Sequence, residues 1–154
     1  MLPSSPVQPP RTAAEWDAYY ALRYAMLRQP WQQPPGSERS PADDLPTTVH
    51  ALLLAPGSSA AAPEALAVGM LQPSEEGQGQ IRFMAVASQA AGQGLGGQVM
   101  RYLEEQAHLL DLTEIILHSR ESAVGFYERH GYAVVQASHT LFGVIPHLLM
   151  RKQL

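Results

Sequence analysis

The stretch Gly92-Gln93-Gly94-Leu95-Gly96-Gly97 constrains this chain more than any other. Four glycines in six residues remove nearly every Cβ from one turn. Such a turn can take positive φ and lets a ligand lie directly on the backbone. Before it, Ile81-Arg82-Phe83-Met84-Ala85-Val86 has the apolar character of a strand with at least one buried face. After it, Leu95, Val99, Leu103, Gln106 and Leu110 recur at helical spacing. Strand, glycine turn and helix together leave unpaired N–H groups at the positive end of a helix dipole, which suits an anion such as pyrophosphate.

Several loops of this kind compete. Gly92 to Gly97 matches the dinucleotide fingerprint G-x-G-x-x-G, but that fingerprint needs an acidic residue closing the next strand. Asp111 and Glu114 come too early for this, and few residues remain for the rest of a doubly wound sheet. A P-loop is excluded because no Lys-Ser or Lys-Thr follows the glycines. A plain connector would lose much unfolded-state entropy in ordering four glycines for no gain.

Length and composition bound the rest. The 154 residues, 45% of them apolar and 16% charged, predict one globular domain over residues 1–154. No run approaches the roughly 18–20 apolar residues of a membrane-spanning helix, so no membrane partner is expected. The N-terminus lacks a basic segment followed by an apolar one, and a cytoplasmic location is expected. The absence of cysteine removes disulfides, thiolate metal sites and a cysteine nucleophile. The net charge of −4, without a basic stripe, argues against nucleic acid.

Along the chain, residues 1–10 hold four prolines and two serines and read as a flexible arm, with at most a short edge strand near Val7. Thr12 caps a helix whose third residue is Glu15, and Trp16, Tyr19, Tyr20, Arg23, Tyr24 and Leu27 continue it to near Arg28, where Pro30 enforces a stop. Gln29 to Pro46 is too long for a plain connector, and Trp31 within it argues for packing. Asp43 and Asp44 there could serve a substrate amine or be solvated turn residues. Residues 49–54, 65–71 and 81–86 predict an antiparallel meander leading into the glycine turn. Ile115 to His118 predicts a strand buried on both faces. A short helix follows and closes at Gly131, with His130 as a favourable charge at its C-terminus. The tail predicts two last strands, the second broken at Pro146. Six histidines lack any metal-ligand spacing, so no metal is expected.

Two motifs, Met84-Ala85-Val86 followed by Gly92-Gln93-Gly94-Leu95-Gly96, and Arg120-Glu121-Ser122-Ala123-Val124-Gly125-Phe126-Tyr127-Glu128-Arg129-His130-Gly131-Tyr132, stand at a specific separation. With them the chain, from about Thr12 to Lys152, resembles the GNAT superfamily of acyl-CoA-dependent N-acetyltransferases. The stretches Tyr20 to Trp31, Gly36-Ser37-Glu38 and Val144-Ile145-Pro146-His147 look like a small bacterial branch of it. The resemblance implies an α/β fold of mixed α+β type. Its mixed β-sheet would have about six to seven strands, splayed open beside the glycine turn, with helices on both faces. It implies acetyl-CoA as acyl donor, with the backbone of Met84, Ala85 and Val86 pairing with the pantetheine amides. The N–H groups across Gly92, Gln93, Gly94, Leu95, Gly96 and Gly97 would hold the pyrophosphate. Ala123 would flank the pantetheine arm, with Tyr127 near the sulfur. Two positions depart from the family. Ala91 stands where Arg or Gln is usual, which removes one side-chain contact to the pyrophosphate. Arg120 stands where Asn is frequent, and could meet the cofactor or pair with Glu121 or Glu128 on the surface.

The implied activity is N-acetylation of a primary amine by direct attack through a tetrahedral intermediate. Tyr127 is the candidate acid for the departing thiolate, and His147 and His50 are candidate bases, since neutral imidazole is basic near pH 7. The acceptor would be a small-molecule or peptide amine, and a second copy of the chain is a further candidate partner. A non-catalytic acyl-CoA-binding or partner-binding module of the same fold is the rival, which the missing side-chain contact at Ala91 slightly favours.

Overall fold

A computed structural model describes residues 7–154. Residues 1–6 of the expected arm lie outside the described residues, but Gln8 is pinned. It exchanges backbone hydrogen bonds of 3.0 and 2.7 Å with Leu52 in an isolated antiparallel bridge.

Helix α1 spans Ala13–Leu27. Thr12 caps it by accepting the Glu15 N–H at 3.1 Å, and Glu15 reaches back to the Arg11 N–H at 3.0 Å. Strands β1 (Val49–Leu54), β2 (Ala65–Pro73) and β3 (Gln78–Val86) form the expected antiparallel meander. Helix α2 is Leu95–Leu109, β4 is Glu114–Arg120 and α3 is Val124–Arg129, followed by the hairpin β5 (Ala133–Leu141) and β6 (Ile145–Gln153). The six strands form one mixed sheet in the order β1-β2-β3-β4-β6-β5, with β3 and β4 parallel and the other neighbours antiparallel.

Adjacent residues of β2 show why helices cover both faces. A Cβ on Gly69 would meet Val99 and Leu103 of α2, whereas the Met70 sulfur lies 3.6 Å from Arg23 of α1. The stripe Leu95, Val99, Leu103 is buried, joined by Met100 and Ala107, whereas Leu110 is 48% exposed because the helix ends at Leu109.

Two expectations about strands change, and the loop expected to pack does so. Pro146 does not break the last strand: it pairs with Thr140 near the start of β6, where a missing N–H is tolerated. In β4 only Ile115, Leu117 and Ser119 are buried, while the opposite face, with His118 and Arg120, is half open. The segment 29–46 is ordered by two short 3-10 turns, Gln29–Trp31 and Pro41–Asp44.

That order comes from Asp43. Its carboxylate pairs with the fully buried Arg23 guanidinium at 2.9 Å, and accepts from the Tyr20 hydroxyl and the Ser40 N–H, both at 3.0 Å. Asp43 is therefore a structural anchor and not a partner for a substrate amine, whereas Asp44 is exposed.

Candidate active site

The site starts from a register. Strands β3 and β4 pair only from Gln78↔Glu114 to Ile81↔Leu117, although β3 continues to Val86 and β4 to Arg120. Beyond Ile81 the two strands diverge, and the backbone edge of residues 82–86 has no partner strand on that side. A β-bulge re-aims β3 at this point. Met70 pairs with Arg82 and Val68 with Ala85, so Phe83 and Met84 together face the single residue Gly69. Phe83 takes φ 56°, a left-handed conformation unusual for a bulky residue. Gly69 accommodates the bulge because a Cβ there would sit 2.5 Å from the Met84 sulfur and 2.8 Å from Val99.

The divergence opens a cleft of about 620 Å³. Met84, Ala85, Val86, Gly96, Arg120, Ala123, Tyr127 and His147 of the expected site all line it. Gly92, Gln93 and Gly94 are exposed beside it, while Leu95 and Gly97 are buried and offer only backbone. No N–H from Gly92 to Gly97 has an acceptor among the described residues. Gly92 (φ 79°) and Gly94 (φ 76°) require the left-handed conformation, and nothing lies within 4 Å of where their Cβ atoms would be. Gly96 and Gly97 serve packing instead: a Cβ would meet the Phe126 ring at 3.2 Å in one and the His130 ring at 3.2 Å in the other. Phe126 thus docks α3 onto the start of α2 rather than into the deep core. Burial, opposed by Glu104, lowers the His130 pKa, so this ring packs as a neutral group and not as a helix-end cation.

Tyr127 is held by the end of its own helix. Its carbonyl accepts the Tyr132 N–H at 3.1 Å, and the Glu128 carbonyl accepts the Gly131 N–H at 3.0 Å, a Schellman closure with Gly131 at φ 92°. Burial pushes the phenol up to about 12, against the opposing pull of Arg120, so it stays protonated at neutral pH.

His147 is buried, and its Nδ1 lies 2.9 Å from the Ile145 carbonyl. A carbonyl only accepts, so Nδ1 carries the proton and Nε2 is the basic nitrogen. Burial lowers its pKa; the Ile145 contact opposes this, and His139 and Arg120 add to it. The His139 ring stacks on His147 at 4.7 Å, and His118 lies 5.4 Å from His139.

His50 lies elsewhere. It does not line the cleft, and both ring nitrogens are taken, Nε2 by the Asp43 carbonyl at 2.9 Å and Nδ1 by the Tyr19 hydroxyl at 2.7 Å. The geometry corrects the expectation of a base at His50: the ring braces segment 29–46 against α1. Arg120 forms neither of the surface pairs considered for it; its guanidinium lies 5.6 Å above the Trp31 ring.

Residues that the sequence reasoning did not single out also line the cleft: Arg28, Arg82, Phe83, His118 and His139. Spacing held one signal, since His118 and Arg120 stand two apart on one strand and share a face. The bulge that turns Arg82 and Phe83 had none. Among the described residues, no group of three or more His, Cys, Asp or Glu side chains is placed to hold a metal ion. No described helix is long and apolar enough to cross a membrane.

Residues 58–154, more than half of the chain, match the family model of the acetyltransferase (GNAT) domain. The chain belongs to the GNAT acetyltransferases. A Bacillus subtilis relative, the uncharacterized N-acetyltransferase YjcF, is 35% identical over 78 residues, which is 51% of this chain and 56% of that protein. The match therefore spans little more than half the length of that curated relative. An acyl-CoA N-acyltransferase from Pseudomonas aeruginosa superposes with a TM-score of 0.74 at 28% identity, covering 92% of each chain. A candidate N-acetyltransferase from Lactobacillus plantarum superposes with a TM-score of 0.79 over 97% of this chain and 99% of the other. At 22% identity that second likeness bears on the fold alone. The open mixed sheet with helices on both faces is thus the GNAT fold.

Proposed function

We propose that this GNAT chain transfers an acetyl group from acetyl-CoA to a primary amine. The observation that carries the reading is the early end of β3–β4 pairing at Ile81↔Leu117, which leaves residues 82–86 with an unpaired edge inside the cleft. An extended chain with amides of its own, such as pantetheine, suits that edge as an added strand. The unpartnered N–H groups from Gly92 to Gly97 suit a pyrophosphate at the start of α2. Open space at Gly92 and Gly94 leaves the approach clear.

The bound donor supplies an activated acyl carbon as a thioester. His147 Nε2 takes a proton from the attacking amine, which must be neutral to form the new C–N bond. An N–H on the unpaired edge of β3 donates to the oxygen on which charge develops. Tyr127 gives its phenolic proton to the sulfur as the C–S bond breaks, and regains one from solvent.

Calorimetry tests the donor site. Acetyl-CoA is expected to bind much more tightly than acetyl-pantetheine, and equal affinities would remove the loop from the account. Thiol release against a panel of amines separates transfer from the rival of a non-catalytic module. Binding without release across a wide panel supports the module, the reading that Ala91 favours.

The base has its own test. The His147 pKa is lowered, so the acidic limb of kcat/KM should fall below the ordinary histidine value of about 6.5. His147→Gln is expected to abolish that limb while Tm barely moves. A large drop in Tm with unchanged activity per folded molecule would make the ring structural.

A further inference from the structure

The cleft wall carries three guanidiniums and no carboxylate. Arg28 from the end of α1, Arg82 from β3 and Arg120 from β4 line it, and no Asp or Glu does. None of the three forms an ion pair among the described residues, where the pairs are Arg23–Asp43, Arg151–Glu114 and Lys152–Glu104. The chain as a whole has a net charge of −4, so this positive charge is a local feature and not an overall bias.

The arginines are held in place by groups that leave the charge standing. Arg28 donates from Nε to the Ser37 carbonyl at 3.0 Å and from Nη1 to the Leu27 carbonyl at 2.9 Å. Arg82 Nη1 reaches the Gln72 side-chain oxygen at 3.3 Å and the Ser40 hydroxyl at 3.4 Å. Both guanidiniums lie against one ring, that of Phe83, at 5.5 and 5.0 Å from its centroid. The nearby carboxylates, Asp43 and Glu38, do not line the cleft. Asp43 is claimed by Arg23, and Glu38 is buried with one oxygen accepting the Gly36 N–H at 3.2 Å. Glu38 offsets part of the Arg28 charge, and Asp43 part of that of Arg82, but the Arg23 guanidinium opposes both. Half-buried cations without counter-charge cost stability, and an oxyanion bound between them relieves that cost through charge-assisted hydrogen bonds.

Arg28 and Arg82 lie against Phe83 and Arg120 over Trp31, whereas Gly96, where the glycine turn meets the cleft, packs on Phe126. Resting on the acetyl-transfer reading above, we infer that the acceptor is an amine that also bears an oxyanion, a carboxylate or a phosphate, held by Arg28 and Arg82 while its amine reaches His147. Polyamines and lysine-rich peptides are disfavoured by the same charges.

Thiol release from acetyl-CoA with matched acceptors tests this. Amino acids are compared with their methyl esters, and phosphoethanolamine with ethanolamine, with spermidine as the polycation. The acid is expected to exceed its ester in kcat/KM by roughly 10–100-fold, the usual worth of a hydrogen bond to a charged group. It should do so although the ester amine is the more readily deprotonated. Which pair shows the preference tells carboxylate from phosphate. Arg28→Gln and Arg82→Gln should each erode the preference, Arg28→Lys and Arg82→Lys should restore part of it, and acetyl-CoA affinity should hold throughout. Protection of the acetyl-CoA complex against thermal unfolding by the same acceptors gives a readout without turnover. Preference for esters, ethanolamine or spermidine, an unchanged preference in both Gln variants, or no protection by any anionic acceptor overturns the inference and leaves acetyl transfer standing. Failure of acetyl-CoA to bind overturns acetyl transfer, and this inference with it.

Discussion

Tyr127→Phe is expected to lower kcat roughly 10²–10⁴-fold, the usual worth of a positioned acid. The phenol lines the cleft, no hydrogen bond of its hydroxyl is present among the described residues, and burial keeps it protonated with a pKa of about 12. Phenylalanine keeps the ring and its edge contacts with Phe126 at 5.0 Å and Tyr132 at 6.1 Å. Stability and acetyl-CoA affinity should therefore change little, because the hydroxyl matters mainly in the transition state. The measurement is steady-state thiol release with an identified amine, beside calorimetry of acetyl-CoA. Near-normal kcat would reduce Tyr127 to a packing residue and leave sulfur protonation to water.

Asp43→Ala is expected to cost about 3–5 kcal/mol, since it leaves the fully buried Arg23 guanidinium without its counter-charge. The loss should also reach function. Asp43 ties the Pro41–Asp44 turn to α1 through Arg23 and Tyr20, and its carbonyl accepts from His50. Segment 29–46 carries Trp31, which forms part of the cleft wall and lies 6.5 Å from the Phe142 ring. Burial alone would raise the Asp43 carboxyl. The Arg23 guanidinium, with the Ser40 N–H and the Tyr20 hydroxyl, more than offsets this and holds it below the ordinary range. A depressed folded value means that the contribution is fully present above the unfolded value of about 3.9 and is lost as pH falls through the folded one. Urea denaturation should show the deficit at pH 7 and a narrowing gap between wild type and variant below about pH 4. A deficit under about 1 kcal/mol at pH 7 would mean that water enters to solvate Arg23.

The strand–turn–helix around Gly92 to Gly97 was legible because its signals are local: alternation, glycine density and helical period. The meander and the Gly131 closure were legible for the same reason. What escaped depends on partners distant in sequence. The cleft exists because β3 and β4 stop pairing with each other at Ile81↔Leu117 and because Gly69 lets Phe83 and Met84 bulge, and neither fact has a signature within β3 itself. His50 and His147 look alike in sequence, each beside apolar strand residues. Only the fold sends His50 under α1 to the Asp43 carbonyl and His147 into the cleft beside Arg120, its register partner. Trp31 signalled that its segment packs, but not that it packs on Arg120 across the cleft.

Hydrogen exchange with and without acetyl-CoA tests the central claim, that the unpaired edge of β3 and the glycine turn hold the donor. Amide N–H groups within Met84–Val86 and Gly92–Gly97 are expected to gain protection on binding, while those of Val49–Leu54 in β1 stay unchanged. Tight binding of acetyl-CoA with no protection in either stretch would contradict the account.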